Sequence, residues 1–429
     1  MSAGGTQLQK RKGIQDSIEE HYKDIVDINH GSGDLQLIRK AVEEAPTTLN
    51  WLDDLGFPWA PECPRIIYGH VPYTKPRTQY GVNKAISIYE TILPLWERAI
   101  DNHRLEVFYA HVFVDLGRSD DRYDTIVCRH KGETINLTAS HIVLTTGGYG
   151  SNPDFFNQKH PGVPLNSSTY PNSTGEGTMI LENHQAQFRM GDLHLPSLGG
   201  IEMEPGSGRS NFNEAWAMVL TSVYRKPRDI YINSKGVRFL NEDEENADIR
   251  ERALVEQEDW YFWVVFDEPA LLERNDDGLE NPIIIGWNTE MIEAEAAKGM
   301  SIKKANSLEE LAVMMELNPS TVKKTVTTYN QYVDAGEDPE FHREYLEHKV
   351  SAAPFYAIKV YASVLVTFGG IQVDSQLRVI DQSGKPFQGI YAAGEILGLG
   401  ALSGNAFCSG MAITPALSFG RILGQVLGE

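Results

Sequence analysis

The segment HIVLTTGG (141–148) is a β-branched run that ends on two glycines. It closes a series of short runs, LEVFYAHVFVDLG, DTIVCRHKG and ETINLTA, in which β-branched residues alternate with turns. Such spacing predicts a strand meander that closes on a Gly-Gly turn, so any fold for this chain must contain a sheet opening onto that turn. Helical spacing precedes it. After Asp34, the apolar residues Leu37, Ile38, Ala41, Leu49 and Leu52 recur on one face and Gly56 offers a stop, with Pro46 as a possible break. Ala85–Ala99 reads as a second helix, and residues 57–83, rich in Pro and Tyr, read as a long ordered excursion between the two.

With 429 residues the chain has room for two domains, each with its own core. Its 38 Lys plus Arg stand against 59 Asp plus Glu, a formal net charge of -21, which argues against nucleic acid and anionic membrane surfaces as partners. Three cysteines, Cys63, Cys128 and Cys408, are far apart and form no C-x-x-C, the pattern of buried reduced thiols rather than a disulfide framework or zinc site. No apolar run reaches the roughly 18 residues of a spanning helix, and the N-terminal residues contain no signal-peptide core. The expectation is therefore a cytoplasmic protein without membrane insertion.

Further along, Asp229–Asn233 and Ser234–Leu240 read as a hairpin, NEDEENADIRER as a solvated charge run, and Trp260–Phe266 as an apolar strand. Residues 307–333 read as two helices split at Asn318-Pro319, with Ser307 and Ser320 as caps. The last third gives a strand at Tyr356–Val366, glycines at Gly369-Gly370, a hairpin across Ser383-Gly-Lys-Pro, a strand at Gly389–Ala393 and a helix from Pro415.

Three segments, HIVLTTGGYGSN (141–152), KGVRFLNE (235–242) and GGIQVDSQLRVIDQSGKPFQGIYAAGEI (369–396), together resemble the flavoprotein subunits of the fumarate reductase and succinate dehydrogenase superfamily, which includes 3-ketosteroid dehydrogenases. STGEG (173–177) and APFYAIKV (353–360) extend the resemblance over nearly the whole chain. It implies an α/β fold: a Rossmann-like FAD-binding domain in residues 1–224 and 368–429, with an inserted α+β cap domain at 225–367. The cofactor it implies is FAD. Its binding residues would be Ala3, Gly4, Gly5, Val112, Thr146, Gly147, Gly148, Glu176, Val366, Gly394, Glu395, Ala412 and Ile413. The Gly-Gly turn lets backbone approach a dinucleotide where a Cβ would clash, Glu395 would accept from ribityl hydroxyls, and the last helix would aim its N-terminal N–H groups at the flavin pyrimidine. Family members begin with a strand and a G-x-G-x-x-G turn that this sequence lacks, so an N-terminal βαβ unit is expected to be truncated or supplied by another polypeptide.

The resemblance also tests the substrate clamp. Leu365 and Val366 stand where fumarate reductases carry a His pair, Phe407 stands where a carboxylate-binding Arg would be, and Asn246 falls at the proton-donor Arg position, with Arg250 one turn later. Tyr356, Tyr361, Arg250 and His194 are the catalytic candidates: the tyrosines for proton transfer or carbonyl polarisation, His194 as a substrate-facing group. The first expectation is an FAD-dependent CH–CH oxidoreductase, by dehydrogenation or enone reduction, of an uncharged or largely apolar small-molecule substrate, a class that includes steroid-like ones, with an unidentified electron donor or acceptor. The alternatives are a reductase of an unsaturated acid, with Arg250 or Arg252 as donor, and a non-catalytic remnant.

Overall fold

The computed structural model describes residues 1–210, 225–275, 277–284 and 286–428. Two sheets organise these residues. In the first, Val112–Ser119, Arg122–His130 and Glu133–Thr138 form the antiparallel meander expected from their turns. The pair that matters for the site is parallel: Ile142–Leu144 runs alongside Pro386–Ala392, with Ile390, Tyr391 and Ala392 opposite Ile142, Val143 and Leu144. Both strands therefore stop at the same edge, and both run straight into small-residue turns there. Arg378–Ile380 pairs on the other side of Pro386–Ala392.

Helices Leu35–Asp54 and Ile413–Leu427 pack on each other against this sheet, burying Ile38, Ala41, Val42, Phe419 and Leu423 with Leu144 and Ile390. Asp34 caps the first of these by accepting from the Gln36 and Leu37 amides, and the helix runs on through Pro46 without a break. No described helix is long and apolar enough to cross a membrane.

The second sheet places Phe355–Ser363 beside Tyr261–Asp267, which in turn pairs with Ile230–Asn233. Ile302–Ala305 and Ser197–Gly200 share the opposite edge of Phe355–Ser363. The sheet thus recruits residues 197–200, which precede the 225–367 range expected for the cap. Strand periodicity explains its two buried faces. Tyr231, Phe262, Val264, Phe266 and Ile358 pack on Leu254 and Ile292, while Ile230, Ile232, Trp263, Val265 and Ala357 pack on Leu311, Val322 and Val326. The latter three lie on Leu308–Met314 and Pro319–Ala335, the two helices expected across Asn318-Pro319; Ser307 caps the first, but Asn318 rather than Ser320 caps the second.

Two local expectations are corrected. The second arm of the 229–240 hairpin is not a strand: it meets the first through a single bridge, Ile232 opposite Arg238, because the chain turns away to bury charge. Glu242 is not solvated. It is 1% exposed, accepts from Arg238 Nε at 2.9 Å and from the Tyr231 amide at 3.1 Å, and Arg238 also reaches Asp338 at 2.9 Å. A paired carboxylate with these donors tolerates burial that a lone one would not.

Candidate functional site

Three turns meet at the edge where the parallel pair ends. Residues 145–148 follow one strand and Ala393-Gly-Glu follows the other, joined by a hydrogen bond from the Ala393 amide to the Leu144 carbonyl at 3.1 Å. The third turn, Thr367–Gly370, enters from the second sheet and donates to Glu395 Oε1 from its Thr367 amide at 3.0 Å and hydroxyl at 3.3 Å. Gly148 lies directly under this contact: a Cβ there would overlap both the Glu395 carboxylate and the Thr367 hydroxyl. Burial raises the Glu395 pKa, opposed by the two Thr367 hydrogen bonds.

Glu395 lines a cavity of about 200 Å³ together with Val366, Gly394, Leu399, Ala412 and Ile413. Its Oε2 takes no hydrogen bond among the described residues, which leaves an acceptor open toward that cavity. Ala412 and Ile413 begin the 15-residue helix Ile413–Leu427; both are exposed, and their amides have no partner among the described residues. An acidic acceptor, two free N–H groups at the positive end of a helix and apolar walls match the pyrimidine and ribityl portions of FAD. When bound, FAD supplies hydride chemistry at this edge.

The other expected binding residues form two further groups. Ser2 donates its amide to Thr414 Oγ1 at 2.8 Å, and a Cβ on Gly410 would overlap Ser2, so the loop carrying Ala3, Gly4 and Gly5 is threaded past the start of the last helix. Thr146 presses on Gly177, so Thr146, Gly147 and Glu176 are neighbours at the start of helix Glu176–Asn183. Val112 stands apart: it is 59% exposed at the start of its strand and lines none of these groups.

An apolar cluster adjoins the cavity through Val366 and Leu399 and adds Leu193, Leu195, Phe368 and Phe407. Leu195, not His194, faces this cluster, because neighbouring residues in an extended segment point to opposite sides. His194 instead stacks on Trp260 at 5.5 Å and lies 5.4 Å from the His160 ring; neither of its nitrogens has a partner among the described residues. Burial lowers the pKa of His194 to about 3 and of His160 to about 4.

The structure does not bring either candidate tyrosine to the cluster. Tyr356 is fully buried in the second sheet's core, stacked on Phe266 and donating to Glu293. Tyr361 packs near Tyr261 beneath Lys359. Both lie on the strand before residue 364, and burial raises the pKa of each. Asn246, at the position of the family's proton donor, caps helix Ala247–Val255 by accepting from the Asp248 amide at 3.0 Å. On that helix Arg252 pairs with Asp248 at 2.7 Å and donates to the Asn405 carbonyl at 2.7 Å, which fixes the helix to the loop carrying Phe407. Arg250 is only 4% exposed, yet its Nε and Nη1 have no partner among the described residues. Burial lowers its pKa.

Sequence reasoning passed over Leu195 and the imidazole of His70, which stacks on Phe407 at 4.9 Å with an interplanar angle of 21°. No spacing signature marks a lone histidine in a Pro/Tyr-rich excursion. Among the described residues no cluster of His, Cys, Asp and Glu could hold a metal ion, and the three cysteines are buried and free.

This chain belongs to the FAD binding domain family, whose model matches residues 1–411. It is 25% identical over 432 residues to a probable fumarate reductase of Shewanella frigidimarina (strain NCIMB 400), covering 99% of this chain and 66% of that protein. It is 28% identical over 403 residues to the NADH:acrylate oxidoreductase of Vibrio harveyi, covering 92% of this chain and 37% of that protein. The chain thus spans less than two thirds of the length of these relatives. Its fold matches the open conformation of a flavocytochrome c3 fumarate reductase with TM-score 0.74, at 24% identity and covering 99% of this chain and 69% of that one. It also matches a 3-ketosteroid delta1-dehydrogenase from Sterolibacterium denitrificans with TM-score 0.75, at 18% identity and covering 100% of this chain and 91% of that one. At these identities the two structures bear on fold alone.

Two outcomes follow from the site. Gly148→Ala drives a methyl group into the Glu395–Thr367 contact, so FAD affinity should fall at least ~10-fold, or about 1.4 kcal/mol, in a flavin fluorescence titration. The second concerns pH. His160 and His194 stay neutral in the folded protein down to about 4 and 3, whereas the ordinary imidazole value is 6.5. The unfolded chain therefore binds more protons below about 6.5, and stability is lost as pH falls from there toward 4, by at most about 1.4 kcal/mol per pH unit for each histidine. Urea unfolding at several pH values checks this, and His194→Phe should flatten the slope.

Proposed function

We propose that the protein is an FAD-dependent reductase of an activated carbon–carbon double bond in an unsaturated carboxylic acid. With FAD bound and reduced by the electron donor, the reaction would place a hydride from the flavin on one alkene carbon and a proton drawn from solvent on the other. The observation that carries the acid reading is Arg250, a buried guanidinium whose Nε and Nη1 lack partners among the described residues. A buried cation left unpaired is costly, and a substrate carboxylate is the partner that removes the cost. Arg252 is already held by Asp248 and the Asn405 carbonyl, so Arg250 is the better of the two candidates. The names of the two relatives, a fumarate reductase and an acrylate oxidoreductase, support the same reading.

Within it the roles divide as follows. Glu395 and the Ala412–Ile413 amides hold the flavin end, the Leu193–Phe407 cluster excludes water, and Arg250 holds the carboxylate and polarises the alkene. The electron donor is a separate partner of unidentified chemistry.

A second reading, reduction or dehydrogenation of an uncharged enone, is favoured by the wholly apolar cluster around Phe407. The two are separated by Arg250→Met, which keeps the volume and removes the charge. In reduced-dye assays of the flavin-loaded protein, kcat/KM for unsaturated acids should drop about 100-fold, the scale of losing one partner of a buried charge pair, with unfolding stability kept or raised. Undiminished acid reduction would overturn the acid reading. Faster turnover of a cyclic enone, indifferent to Arg250→Met, would support the second.

A further inference from the structure

The Pro/Tyr-rich segment 57–83 delivers His70 to the wall of the apolar cluster. Its ring lies against Phe407, and Phe407 in turn meets Phe368 edge-on at 5.4 Å and 74°. Through Phe407, His70 sets a polar ring against the cluster of Leu193, Leu195, Val366, Phe368 and Leu399. Its Nδ1 is buried with no partner among the described residues. Burial holds the ring neutral by lowering its pKa to about 4, which leaves one nitrogen as N–H donor and the other as acceptor.

An orphaned buried nitrogen calls for a hydrogen-bonding partner. A second carboxylate suits it poorly: Phe407 is apolar, and Arg252, which reaches the same loop, is already held by Asp248 and the Asn405 carbonyl. A flat conjugated ring suits the same wall, because aromatic side chains favour stacked and edge-on neighbours, and its one polar substituent would meet the imidazole.

We propose that His70 and Phe407 select the substrate's non-reacting end, and that this end is an aromatic ring with a hydrogen-bonding substituent, making the substrate a β-aryl unsaturated monocarboxylic acid. The proposal rests on the acid reading above and narrows it. Arg250 holds the carboxylate at one end, the alkene lies at the cavity edge formed by Val366 and Leu399, and the aryl group rests against Phe407 with its hydroxyl at His70. His70 acts as a specificity residue and moves no proton in the reaction.

Calorimetric titration of the protein with 4-hydroxycinnamate, trans-cinnamate and fumarate tests this directly, alongside rates with a reduced dye. 4-Hydroxycinnamate should bind at least ~10-fold more tightly than trans-cinnamate, the step that 1.4 kcal/mol gives, and both more tightly than fumarate. His70→Phe keeps the stacked ring and should erase the difference between the two aromatic acids, mainly through KM. Phe407→Ala should weaken both. Equal binding of fumarate, no binding of either aromatic acid, or a hydroxyl preference that survives His70→Phe would overturn the proposal. Arg250→Met separates the two levels: weaker binding of all acids upholds the acid reading whatever His70 does, and no effect on any acid contradicts that reading itself.

Discussion

The carboxylate of Glu395 is the knot of this structure. It follows one parallel strand, it is hydrogen-bonded by the Thr367 turn that returns from the second sheet, and it occupies the space a side chain on Gly148 would need. Three segments distant in sequence are thereby fixed at one sheet edge. A buried carboxylate is costly, and the raised pKa records that cost. The Thr367 donors offset part of it, and the unpaired Oε2 is available to a ligand. Everything that gives the site its shape, the cavity, the exposed start of the last helix and the adjoining apolar cluster, is arranged around this point.

That arrangement explains why the two turns were legible while the pairing was not: Ile142–Leu144 reads as the last strand of the meander, yet it leaves it to run parallel to Pro386–Ala392. The Gly-Gly and Ala-Gly-Glu turns are local signals with a steric cause, and the structure places both at the ends of the same strand pair. Asp34 and Ser307 likewise carry their helix starts in the side chain, whereas the cap expected at Ser320 falls two residues earlier, on Asn318. Long-range pairing leaves no such mark. Glu242 sits in a stretch of charges that reads as solvated, and only the fold brings Arg238 onto it. Tyr356 and Tyr361 read as catalytic because their strand leads toward the flavin edge, but Tyr356 is buried in the second sheet's core and Tyr361, half-buried, packs near Tyr261 and Lys359. His194 and Leu195 show the same limit at a single peptide bond: adjacent residues face opposite ways, and the sequence does not say which faces the cluster.

The substrate end of the site combines two features in tension. In the proposed reading, Nε and Nη1 of Arg250, which lack partners among the described residues, would take a carboxylate, while the apolar residues around Phe407 would disfavour a second one. A ligand with a charge at one end only satisfies both. The resemblance to dicarboxylate reductases does not transfer residue by residue at these positions: Asn246 caps a helix and Phe407 belongs to an apolar cluster. The ketosteroid dehydrogenase likeness is one of fold, and the two relatives compared by sequence are named a probable fumarate reductase and an NADH:acrylate oxidoreductase.

The most direct measurement is a crystal structure of the flavin-loaded protein. The account predicts the flavin ring against the amides of Ala412 and Ile413, its ribityl chain within hydrogen-bond reach of Glu395, and Val366 and Leu399 between the ring and Phe407. A flavin bound away from Glu395, or with its ring outside the cavity lined by Val366 and Ile413, would contradict it.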